Sequence, residues 1–210
     1  DNGPSGDLGH TVYCFEFGDA FFATLNTEAT PSSALEPSIK LQLDWLRDKL
    51  AHTTKKWKIL QFHEGPYTSN HDPAYICSLL IKDIDEMGID LVLSGHDHLY
   101  LRTTMRGDKK VPIGEGTTYV TGGTCGNKFY EYKDYADRWT EIKADDFDRQ
   151  IVNFVTISSD HIEFRSMQRT SPKEKAFKLL DSFRIEKSLS EQVMPAPISM
   201  VFPKYGIKVY

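Results

Sequence analysis

The chain has little cysteine and no pattern in what it has: Cys14, Cys77 and Cys125 are scattered, odd in number and without C-x-x-C spacing. This argues against a disulfide framework and against a thiolate zinc site. No apolar run is long enough to span a bilayer. Basic clusters are missing too, and a net charge of −5 argues against nucleic acid or an anionic membrane as the main partner. Asp1 to Gly6 lacks the character of a signal peptide, and there is no internal repeat or low-complexity tract. With 210 residues to build from, a single soluble core is the default expectation.

Apolar runs and their punctuation supply the organisation. Thr11–Phe17 and Ala20–Asn26 are two β-rich runs separated by Gly18-Asp19, the spacing of a hairpin. Ser38–Leu50 carries Ile39, Leu43, Leu46 and Leu50 at helical spacing, with Pro37 near its start. Trp57–Phe62 is short, apolar and aromatic, as a buried strand is. Asp72 then offers an N-cap with Pro73 at the first helical position, Ile76, Leu79, Leu80, Ile84 and Met87 continue the helix, and Gly88 stops it. Ile89–Leu93 is the next strand, so the unit is βαβ with parallel strands and a right-handed crossover. Thr118–Thr121 predicts a strand, Phe129–Phe147 a long loop or short irregular helix at the surface, and Ile151–Ile157 with Ile162–Met167 a hairpin. Ala176–Ile185 alternates in part like a strand. Residues 1–193 form one portion, and 194–210, opened by Met194-Pro195-Ala196-Pro197, reads as a linker or an extra terminal strand.

His63 stands at the carboxyl end of the first strand of the βαβ unit, and His96 and His98 just beyond the second, after Gly95. The carboxyl ends of parallel strands share one edge of the sheet, where open α/β sheets bind ligands. In an extended segment, residues two apart point to one side, so His96 and His98 are expected to face a common site with His63. Imidazole is a preferred ligand of zinc, iron and similar ions, and the three together predict a metal site. His71, in the loop Glu64–His71, could hang over the same edge; its alternative is an exposed loop histidine near a helix N-terminus.

Gly95-His96-Asp97-His98 followed by Tyr100 and Arg102, together with Phe62-His63 and Pro66-Tyr67, resembles the last two motif blocks of the calcineurin-like metallophosphoesterases, most of all the purple acid phosphatase branch. The resemblance implies an α/β fold, the C-terminal half of a four-layer α/β/β/α metallophosphoesterase sandwich. It implies phosphoester hydrolysis by two divalent or mixed-valence ions of iron, manganese or zinc, with His63 and His96 on one ion and His98 on the other. His71 then contacts the substrate phosphate or protonates the leaving group. An extracellular or cell-surface location is favoured on the same ground.

The family's earlier blocks, which supply a bridging carboxylate, an asparagine and a catalytic histidine, are not convincingly present. Gly6-Asp7-Leu8-Gly9 follows no apolar strand, and Gly18-Asp19 belongs to a hairpin turn. The chain therefore reads as lacking the N-terminal half of its own domain, with weak metal binding and negligible activity by itself. Alternatives are a non-catalytic metallophosphoesterase-like module for binding or assembly, and a mononuclear three-histidine zinc hydrolase.

Overall fold

A computed structural model describes residues 3, 4, 8, 10–28, 35–69 and 74–187. His71, Asp72, Pro73, Asp7 and the segment 194–210 lie outside the described residues. In chain order the elements are β1 (Tyr13–Phe17), β2 (Ala20–Thr24), α1 (Leu35–His52), β3 (Trp57–Gln61), α2 (Ala74–Met87), β4 (Leu91–Ser94), β5 (Tyr100–Arg106), β6 (Lys109–Lys110), β7 (Thr117–Gly122), a 3-10 helix (Asp134–Arg138), β8 (Ile142–Lys143), β9 (Ile151–Ile157), β10 (His161–Arg169) and β11 (Phe177–Glu186).

The larger sheet runs β1-β2-β3-β4-β7-β5-β6, with β8 added beside β5. Its centre, β2 to β3 to β4 to β7, is parallel throughout, and β1 and β5 close it with antiparallel pairs. Phe17 faces Ala20 across the first hairpin, which leaves Gly18-Asp19 as the turn, with Gly18 at φ 55°. That positive φ at the first central residue is what glycine supplies in tight hairpins. The βαβ unit is present as expected, and Gly88, at φ 62°, ends α2 with Ile89 N–H reaching back to the Ile84 carbonyl at 3.3 Å. Helix α1 starts at Leu35, earlier than the periodicity predicts, because Pro37 is tolerated in a first turn whose N–H groups need no partner within the helix.

Side chains alternate across the sheet and so build two cores. Leu60 and Val92 point to the helices, where they pack with Leu43, Leu46, Leu80 and Ile84. Ile59, Leu91 and Val120 point the other way, against Ile162, Phe164, Phe183 and Ile185 of an antiparallel sheet ordered β11-β10-β9. Helices, large sheet and small sheet are thus three successive layers among the described residues. Among the described residues, two aromatic faces stay open to solvent: Phe15 and Phe17 of β1 are 45% and 79% exposed and Phe154 of β9 is 49% exposed.

Two features depart from the sequence reading. Strand β5 is not marked by alternation, because Arg102, Thr103 and Thr104 are buried along with Leu101 and Met105. Burial of the Arg102 charge is possible because it is paired: Arg102 Nε donates to Asp181 Oδ2 at 2.6 Å, and the Tyr100 hydroxyl donates to the same oxygen at 2.8 Å. Burial works against the Arg102 guanidinium, yet Asp181 and Glu141 more than offset it and its pKa rises. The second is the segment 129–147, which does not simply lie on the surface: Ala136 and Trp139 enter the helix-side core and Ala144 the inter-sheet core.

Candidate metal centre

Three neighbouring parallel strands end at one edge, and each is followed within four residues by a group able to hold an ion: Glu28 after β2, His63 after β3 and His96 after β4. The strand ladder continues past the strand ends. Leu25 N–H donates to the Gln61 carbonyl (3.0 Å), Phe62 N–H to Leu93 (3.1 Å) and Gly95 N–H to His63 (2.9 Å). The Glu64 N–H donates to Thr27 Oγ1 at 2.9 Å, tying the Glu28 segment to the His63 loop. Gln42, fully buried on α1, accepts from Asn26 N–H (2.7 Å) and donates to the Asn26 carbonyl (3.0 Å), and the Asn26 side chain accepts from Glu28 N–H (3.0 Å).

His63 Nε2 lies 3.2 Å from His96 Nδ1, with the rings nearly perpendicular, and 4.0 Å from Glu28 Oε1. All three ligand atoms fall within 4.8 Å of one another. Zinc–nitrogen bonds of about 2.0–2.1 Å at a tetrahedral angle place two nitrogens about 3.3 Å apart, so the histidine pair already has a ligand spacing. The site is open, with the His63 and Glu28 side chains 52% and 55% exposed, which leaves room for water or substrate on the ion. The donor set, two imidazoles and a carboxylate, suits a transition ion.

His98 is not brought to this group. The Gly95–His98 stretch is not extended: His96 and His98 both adopt left-handed backbone, at φ 67° and 56°. The expectation that both rings face one side fails with its geometric premise. His98 Nδ1 instead donates to the Lys128 carbonyl at 3.0 Å, and its ring stacks on Tyr130 at 4.7 Å. Left-handed backbone costs a non-glycine residue about 1–2 kcal/mol, and such strain is characteristic of functional sites. Close approach at this edge is demanded at Gly65 more than at Gly95, since a Cβ on Gly65 would lie 2.5 Å from Ser94 Oγ.

Two residues of the site escape sequence reasoning. Glu28 sits in Asn26-Thr27-Glu28, which has no spacing motif, and only the carboxyl edge of β2 could have pointed to it. Asp97 occupies the unspecified position of H-x-H and is fully buried. Its carboxylate accepts from the Thr68 hydroxyl and from Ser69 N–H, latching the loop that carries His63 onto the turn that carries His96. Tyr67 of that loop faces the helix-side core, edge-on to Tyr119 at 4.7 Å, with its hydroxyl donating to the Gly107 carbonyl at 3.2 Å. Burial pushes its pKa well up, so it stays a neutral phenol that shapes the loop.

Residues 2–100 match the family model described as Calcineurin-like phosphoesterase. Purple acid phosphatase 18 of Arabidopsis thaliana is 28% identical over 126 residues, which cover 53% of this chain and 28% of that protein. The purple acid phosphatase PPD1 from yellow lupin, Lupinus luteus, superposes with a TM-score of 0.59 at 17% identity, over 90% of this chain and 34% of the lupin chain. GAP50 of Plasmodium, titled the anchor in the inner membrane complex, superposes with a TM-score of 0.52 at 14% identity, over 85% and 55% of the two chains. These structural likenesses speak for the fold. The chain spans well under half the length of the two plant phosphatases it matches.

Proposed function

We propose, the chain being a calcineurin-like metallophosphoesterase of the purple acid phosphatase kind, that it carries the histidine side of a phosphoester-hydrolysing metal centre. The observation that carries this is the pairing of His63 and His96, 3.2 Å apart, at the carboxyl edge of adjacent parallel strands. In our reading His63 and His96 serve one ion and His98 a second, the remaining ligands coming from an N-terminal half of the same domain. Two ions about 3.5–4 Å apart would neutralise a phosphate ester and activate a water for in-line attack. His98 donates its Nδ1–H to the Lys128 carbonyl, which leaves Nε2 as the nitrogen for the second ion, the usual second-hydrogen-bond arrangement of a metal-bound imidazole. His71, in the loop that Asp97 latches at Thr68 and Ser69, serves as the phosphate contact or the acid for the leaving group.

Support for a missing half comes from the aromatic faces that the described residues leave exposed. Phe15 and Phe17 of β1 and Phe154 of β9 are the surfaces that a further piece of the sandwich would bury. The 210 residues alone are then inactive. On the family resemblance we place the protein outside the cell or on its surface. No helix among the described residues is long and apolar enough to cross a membrane.

A longer natural chain that includes the sequence upstream of Asp1 is expected to hydrolyse a generic aryl phosphate in a metal-dependent manner, and His96→Ala is expected to lower kcat/KM by at least a hundredfold. Turnover that ignores chelators or His96→Ala would refute the reading. That the group of ligand atoms at this edge holds Glu28, His63 and His96 but not His98 favours one second reading, a non-catalytic binding or assembly module. That reading predicts no turnover from the longer chain whatever the metal.

A further inference from the structure

We infer that Glu28 is a metal ligand, and that Glu28, His63 and His96 together form a mononuclear site for a zinc-like divalent ion within this chain alone. The inference rests on the functional reading only in placing His63 and His96 on the same ion. It supplies the carboxylate that three histidines by themselves lack.

The geometry is nearly that of an occupied site. Where His96 Nδ1 meets His63 Nε2 at 3.2 Å, one nitrogen must donate and the other accept, and an ion takes the place of the shared proton by drawing both lone pairs to itself. Glu28 Oε1, 4.0 Å from His63 Nε2 and within 4.8 Å of the His96 ligand atom, has to close by about 0.7 Å on the first and by no more than about 1.5 Å on the second to reach the spacing of about 3.3 Å that tetrahedral zinc requires. Its side chain is more than half exposed, so the move displaces only water. The backbone beneath does not have to move at all. Thr27 is buried and bonded to Glu64 N–H, Asn26 is held on both sides by Gln42, and Asn26 Oδ1 receives the Glu28 N–H. With Thr27 turned inward, Glu28 is presented outward beside His63.

The donor set decides the ion class. Two neutral imidazoles and one carboxylate match the three-ligand sets of catalytic zinc, which keep a further position for water. Magnesium and calcium prefer oxygen cages and are poorly served by two nitrogens. A divalent ion here keeps one net positive charge after Glu28 is counted, and its open face to solvent suits an anionic ligand such as a phosphate ester.

The test is titration of the metal-free 210-residue chain with zinc by calorimetry and with cobalt(II) by visible absorption. One ion per chain is expected, with cobalt giving the intensified d–d bands of a four- or five-coordinate site and magnesium giving no binding. Glu28→Gln should weaken zinc at least tenfold and shift the cobalt bands. Glu64→Gln, the next carboxylate along, should change neither. Because Glu28 is exposed, the thermal midpoint of the metal-free Glu28→Gln chain should match the parent, which separates ligand loss from misfolding. The inference is overturned if Glu28→Gln binds zinc as the parent does, if Glu64→Gln weakens it equally, or if no saturable binding occurs below millimolar zinc. Failure of aryl phosphate hydrolysis in the longer chain would leave this result intact, so the two readings fall separately.

Discussion

Asp97 is the residue on which the two histidine segments depend. It is fully buried and takes the Thr68 hydroxyl and the Ser69 N–H from the opposing loop. Asp97→Ala takes the acceptor from the buried Ser69 N–H, and an unmet buried donor costs about 1–3 kcal/mol. Denaturant unfolding of the metal-free variant should show a loss in that range, and zinc affinity should fall because His63 is no longer registered against His96. What the sequence shows at this scale follows from side-chain chemistry. His63, His96 and His98 stand out as a set, because an H-x-H directly after one apolar strand joins a histidine that ends the neighbouring one. Asp97 and Glu28 do not, since an aspartate in a turn and a glutamate after a strand are common surface residues. Only the three-dimensional edge shows that one is a buried latch and the other lies beside a histidine.

At the scale of elements, the βαβ unit is legible because β3, α2 and β4 each follow their period, and Gly88 marks the stop. Strand β5 is not, because both of its faces are buried and carry polar residues among the apolar ones, and the Asp181 that pairs with Arg102 lies far along the chain. Arg102 and Asp181, 4% and 8% exposed, join the large sheet to the small one with Tyr100. Removing one partner of a buried pair costs about 3–5 kcal/mol, since the other charge is left in place. Arg102→Met should therefore destabilise the chain by that amount in denaturant unfolding, and Arg102→Met with Asp181→Leu should recover a large part of it.

A second tie between the sheets is at the opposite end, where Asp90 accepts from Lys187 Nζ at 2.7 Å and from Lys58 N–H at 2.8 Å. Burial raises the Asp90 carboxyl above its ordinary value, against the pull of Lys187 and that N–H. A carboxyl raised on folding binds its proton more tightly in the folded chain. Its contribution is thus fully present below the ordinary value of 3.8 and is lost as pH rises through the raised one. Asp90→Asn removes that loss. The thermal midpoint of Asp90→Asn relative to the parent should accordingly be higher at pH 7 than at pH 4.

The whole molecule is a helix layer, a mixed sheet and a second sheet, with the candidate ligands gathered where β2, β3 and β4 end side by side. The layers are legible from alternation alone, since Ile59 and Leu60, or Leu91 and Val92, must go to opposite faces. The divergence of His96 and His98 is not, because left-handed backbone at a histidine has no sequence signature comparable to that of glycine. The ladder that runs past the strand ends has a consequence in time. Leu25, Phe62 and Gly95 donate their amides to neighbouring segments as strand residues would, at the places where a loop begins. In deuterated solvent these amides should exchange nearly as slowly as those within β3 and β4, tens to hundreds of times more slowly than an open loop, as mass spectrometry or NMR can follow. The edge that receives the ion would then open only when the sheet itself does.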